Sequence, residues 1–172
     1  MKKLLTASAV VLCGMLSYSS AHAQSTGNVT LNVQIADIIS MTVNTNTINF
    51  NLNSGSSYAT DQTQTASSQF TILSTRPFDL DVKSSAANLT NGSNTLPLNV
   101  VKVESTNSNL GITPAAAVAL TTANQKLLDE ASAGLAQTVD MKYTLLTNTN
   151  FSSFNVPAGT YTTTLVYTAS ID

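Results

Sequence analysis

The sequence predicts an all-β fold, a Greek-key β-sandwich, and three observations carry that expectation. Apolar and polar residues alternate in about eight separate stretches, the period of a strand with one buried face. Turn residues separate those stretches, as at Asn91-Gly92 and Pro157-Ala158-Gly159. Threonine, serine and asparagine supply 59 of the 149 residues from Gln24 on, a composition that suits strands and the turns between them.

Taken in order, Val29, Leu31, Val33 and Ile35 alternate with Thr30, Asn32 and Gln34, which predicts a strand over 28–35. Ala36 and Asp37 break it, and Ile38–Val43 reads as a second strand or a continuation past a bulge. Ile48, Phe50 and Leu52 alternate with asparagines as a further short strand. Residues 53–68 lack periodicity and predict a loop anchored by Tyr58. Phe70 and Ile72 begin the next strand. Phe78, Leu80 and Val82 then alternate with Asp79, Asp81 and Lys83, which predicts a solvent face for the charged residues. A turn region around Asn91-Gly92 precedes a strand over Leu96–Val103, with Pro97 at its start or edge. Residues 112–137 are alanine-rich, and a short helix is expected over Ala123–Ala133 with Leu127 and Leu128 inward. Val139, Met141, Tyr143 and Leu145 form a strand, a polar turn follows, and the closing strand starts at Thr160.

The first 23 residues have the layout of a secretory signal peptide. Lys2 and Lys3 precede an apolar run from Leu4 to Leu16, and Ala21-His22-Ala23 offers a cleavage site after Ala23. Leu12 stands before Cys13 where a lipidated leader carries a small residue, which argues against a lipid anchor. The expected organisation is therefore a signal peptide over 1–23, an N-terminal extension over 24–36 and one domain over 37–172. After cleavage the chain is not expected to be an integral membrane protein. Five basic residues (Arg76, Lys83, Lys102, Lys126, Lys142) face nine acidic ones from Gln24 on, so nucleic acid is a poor partner for this surface.

Little in the sequence points to catalysis. Beyond the leader there is no histidine, cysteine or tryptophan, so imidazole bases, thiol nucleophiles and His/Cys metal clusters are excluded. Asp79 and Asp81 share one face of a strand without the setting of a catalytic pair. Asp61 and Asp129-Glu130 lack the spacing of a calcium loop. No enzyme activity, catalytic residue, metal or cofactor is expected, and attention shifts to the two terminal strands.

The layout resembles the chaperone–usher class of fimbrial subunits, closest to the colonisation-factor type of major pilin. The residues that carry the likeness are the alternating strand Asn28–Ile35, the break and apolar segment Asp37–Val43, and the ending PAGTYTTTLVYTAS. Gly159 stands fourteen residues from the C-terminus, and Leu165, Tyr167, Ala169 and Ile171 alternate after it. Where that class usually has a penultimate tyrosine, this chain has Ile171. The ending is also similar to that of spore coat protein U-like secreted domains.

The resemblance implies an immunoglobulin-like sandwich short of one strand and completed by donor-strand exchange. Val29, Leu31, Val33 and Ile35 would be the donor residues. Gly159, Tyr161, Leu165, Tyr167, Ala169 and Ile171 would border the acceptor groove. The implied partners are further copies of the chain, a periplasmic chaperone and an outer-membrane usher, and the implied destination is a cell-surface fimbria. A single domain of this size implies a shaft subunit rather than a tip adhesin. The alternative is a self-contained surface β-sandwich that binds carbohydrate or cell-wall material. Such a module needs a platform of exposed aromatics, for which the loops offer Tyr58, Phe151 and Phe154.

Overall fold

The computed structural model describes residues 24–106 and 110–171, so the expected leader and Cys13 lie outside the described residues. The chain divides into two units, one up to Ile35 and one from Ala36 on. In the first, residues 24–35 form no regular secondary structure, which corrects the strand expected over 28–35. A strand is defined by a ladder with a neighbour, and these residues take part in none.

The second unit is all-β, mostly antiparallel and built of several sheets. Its strands are β1 (Ile39–Val43), β2 (Gln62–Ser74), β3 (Phe78–Ser84), β4 (Asn88–Asn91), β5 (Asn94–Pro97), β6 (Val101–Ser105), β7 (Val118–Ala119), β8 (Gln125–Ala131), β9 (Gly134–Leu145) and β10 (Leu165–Ile171). Five strands form one sheet in the order β1-β2-β9-β6-β7. Three form another in the order β10-β3-β8, and β4 and β5 make a separate hairpin. Gly92 opens the hairpin turn at a φ of 60°, the left-handed value for which glycine is favoured.

Both sheets contribute to a single apolar core, an arrangement consistent with a β-sandwich. Phe70, Ile72, Val103, Val139 and Met141 come from the larger sheet, and Phe78, Leu80, Val82, Leu127 and Leu128 from the smaller. Each of these ten side chains is at most 1% exposed, so alternation along the central strands places one full row of each inside.

Several expectations need correction. The helix over Ala123–Ala133 is absent, and β8 occupies that stretch. Register shifts on either side of Leu80 let Leu127 and Leu128 both turn inward, and Glu130 takes a φ of 54°. Bulges of this kind break the two-residue period, and pairing with β3 overrides the local preference of an alanine- and leucine-rich segment. Among the described residues the one α-helix is α1 (Ser56–Ala59), inside the stretch expected as loop. The same stretch contains the first part of β2, where Gln62–Ala66 pair with Leu145–Met141. Residues 48–52 bury the alternate side chains Ile48, Phe50 and Leu52 partly against the core but form no ladder. The strand expected over Leu96–Val103 is interrupted by a 3-10 turn at Leu98–Val100. The closing strand is regular only from Leu165, because Thr162 first bridges to Thr90 of the hairpin.

Asp79 is buried rather than solvent-facing. Lys126 Nζ lies 2.7 Å from its carboxylate, and the Glu130 N–H donates to it at 2.9 Å. Lys83, Lys102, Lys126 and Lys142 all sit within strands. Arg76 lies in the β2–β3 connection, 3.2 Å from the Asp37 carboxylate. Among the described residues no helix is long and apolar enough to cross a membrane.

Candidate strand-binding cleft

β1 and β10 are both edge strands. β1 pairs only with β2, and β10 pairs only with β3, so each leaves one row of backbone N–H and C=O groups without a ladder. The consequence is visible in burial. Leu165, Tyr167, Ala169 and Ile171 point inward from β10 yet remain half-buried, whereas Phe78, Leu80 and Val82 on the adjacent β3 are at most 1% exposed. Ile39 and Met41 of β1 are half-buried in the same way.

Between these edges runs a cleft of about 1030 Å³. One wall is Met41, Val43 and the unladdered segment 45–53, in which Ile48, Phe50 and Leu52 face the core. The other wall is 156–165 together with Tyr167. Phe70, Tyr143 and Leu145 lie beneath, and none of the described lining residues is charged. Of the expected groove residues, Gly159, Tyr161, Leu165 and Tyr167 line this cleft. Ala169 and Ile171 pack against the core beyond it. Gly159 takes a φ of 157°, a value that other residues rarely adopt, and an added Cβ there would also meet the Asn91 side-chain amide. The expected donor residues Val29, Leu31, Val33 and Ile35 are 93, 84, 72 and 85% exposed.

A polar bridge crosses the floor. Gln69 Nε2 donates to the Thr45 carbonyl at 3.1 Å, Tyr143 Oη donates to Gln69 Oε1 at 2.8 Å, and the Tyr143 and Tyr167 hydroxyls are 2.6 Å apart. The Tyr167 ring also packs on Phe70, with centroids 4.6 Å apart. Burial pushes both phenols above their ordinary pKa, so the floor is neutral at physiological pH. Sequence analysis missed Gln69, Tyr143 and the wall over 45–53. The alternation of Ile48, Phe50 and Leu52 was the available signal for that wall.

The other candidates do not assemble into a site. Asp61 accepts the Thr149 hydroxyl at 2.6 Å and the N–H groups of Asn148 and Thr149 at 2.9 Å, which makes it the clamp of a turn. Asp129 is held by Lys126 at 2.6 Å. Among the described residues no group of three or more His, Cys, Asp or Glu side chains comes together. Tyr58, Phe151 and Phe154 form an edge-to-face aromatic cluster near one end of the cleft. No protein-family model matches the chain, and no curated protein sequence matches it.

Unpaired strand edges offer main-chain hydrogen bonds, and Ile48, Phe50, Leu52, Leu165 and Tyr167 offer apolar contact between the asparagines and threonines of the walls.

Proposed function

We propose that this chain is the structural subunit of a cell-surface fimbria that polymerises by donor-strand exchange. The observation that carries the proposal is the uncharged cleft that borders residues 156–165 and Tyr167, at the start of β10, together with the free edge of that strand. The orders β1-β2-β9-β6 and β10-β3 support an immunoglobulin-like Greek key, matching A-B-E-D on one sheet and F-C on the other. In that topology a seventh strand belongs on the free side of β10.

Residues 28–35 of a second copy have the chemistry to fill the position. Their four alternating apolar side chains contribute roughly 1.5–3 kcal/mol each on burial, before ordering costs. In this reading the chain crosses the periplasm after losing residues 1–23. A chaperone covers β10 until exchange at the usher, and the fibre supports adhesion or biofilm formation.

The test is electron microscopy of material sheared from native cells, with the protein identified in the same fraction by mass. Fibres built of a chain that starts at Gln24, and lost on deletion of residues 28–35, are the expected result. A monomeric protein at the surface with no fibres containing it overturns the proposal.

A further inference from the structure

The two ends of the β2–β9 ladder carry complementary apolar features. At one end, where Gly134 pairs with Ser74, the β8–β9 hairpin presents Leu135 at 82% exposure. No charged residue lies between Ala131 and Val139. At the other end, where Leu145 pairs with Gln62, Tyr58 meets Phe151 and Phe154 at ring-centroid distances of 5.9 and 6.1 Å. With Ser152 and Asn155 these rings border an uncharged hollow of about 500 Å³, and Phe151 is 61% exposed. A strand of this length separates the two features by roughly 35–40 Å, so Leu135 does not reach the cluster of its own chain.

The direction of the chain matters as well. The chain enters the sheet at Ile39, opposite Ser74, at the Leu135 end. Tyr58 and Phe154 border the strand-binding cleft as well as the hollow. In a head-to-tail stack, the Leu135 end of one copy faces the aromatic end of the next. We infer that Leu135 of one copy seats among Tyr58, Phe151 and Phe154 of its neighbour, a second contact at the same junction. This inference rests on the fibre proposal for the direction of stacking. A head-to-tail contact closes into a ring or runs on as a filament according to its rotation, and the end-to-end stacking of the fibre proposal is the filament case.

Disulfide capture tests it. From Gln24 on the chain has no cysteine, so a mature L135C/F151C protein carries only two thiols, too far apart in one copy to bridge. The expected result is a ladder of multimers from oxidised fibres on a non-reducing gel, with loss of the monomer band and its return on reduction. An L135C/T42C control, with its second thiol on an exposed position of β1, gives no ladder. Fibres without a ladder overturn the contact and leave the donor-strand proposal standing. A ladder without fibres, unchanged on deletion of residues 28–35, keeps the contact and overturns the donor-strand proposal. Absence of both overturns both.

Discussion

The hydroxyls of Tyr143 on β9 and Tyr167 on β10 stand 2.6 Å apart and join the two sheets under the cleft. The pair is asymmetric, because Tyr143 also donates to Gln69 whereas Tyr167 bonds to Tyr143. Tyr143→Phe leaves both the Gln69 carbonyl oxygen and the Tyr167 hydroxyl without this partner, at an expected cost of about 1–3 kcal/mol. Tyr167→Phe removes one bond of two, at about 0.5–1.5 kcal/mol. Urea unfolding of the two variants checks the order, and equal losses contradict it.

Alkali is expected to weaken the fold through the same pair. Burial raises both phenol pKa values above the ordinary value of 10.0, so the folded state holds these protons more tightly than the unfolded chain does. The stabilisation is complete below that value and is lost as pH rises above it. Thermal unfolding from about pH 8 to pH 11 reads this as a falling Tm. In the Y143F/Y167F double variant the fall becomes shallower.

Asp79 sets the expected behaviour in acid. Its burial opposes the charged form, but Lys126 and the Glu130 N–H outweigh burial and hold the carboxyl below its ordinary 3.8. The resulting stabilisation is present above that unfolded value and is lost as pH falls through the folded one. The urea midpoint therefore drops in acid below about pH 4, and Asp79→Asn flattens the dependence. A variant with the same acid slope as the parent removes Asp79 as its source.

Val33→Glu separates folding from assembly. Val33 is 72% exposed, so the change is expected to alter subunit stability by no more than about 0.5 kcal/mol. Fibres are expected to disappear, since the described lining of the cleft offers no lysine or arginine to pair a buried carboxylate. Unfolding midpoints and electron microscopy of the same preparation give both readouts. Normal fibres from this variant rule out Val33 as a donor residue.

The central strands were legible because one face of each is fully buried. Phe78, Leu80 and Val82 announce β3, as Val139, Met141, Tyr143 and Leu145 announce β9. Gln62–Ala66 was not legible, since a run of Gln and Thr has no apolar row and owes its form to the ladder with β9. Residues 125–131 read as helix because the segment is rich in the helix formers alanine and leucine, whereas its strand form comes from pairing with β3 through bulges that carry no local pattern. At the cleft, the alternation of Leu165 and Tyr167 located one wall. The floor through Gln69 and Tyr143 depends on residues 74 positions apart and carries no local pattern.

The placement of the basic residues has a consequence for resistance to proteolysis. A trypsin-like protease needs a lysine or arginine in chain flexible enough to enter its active site. Lys83, Lys102, Lys126 and Lys142 are locked in ladders, and Arg76 precedes Pro77, a bond such enzymes do not cut. The exposed segment 24–35 contains no basic residue at all. Among the described residues a protease of that specificity therefore finds no flexible lysine or arginine bond to cleave, a protection that comes from where the cations lie.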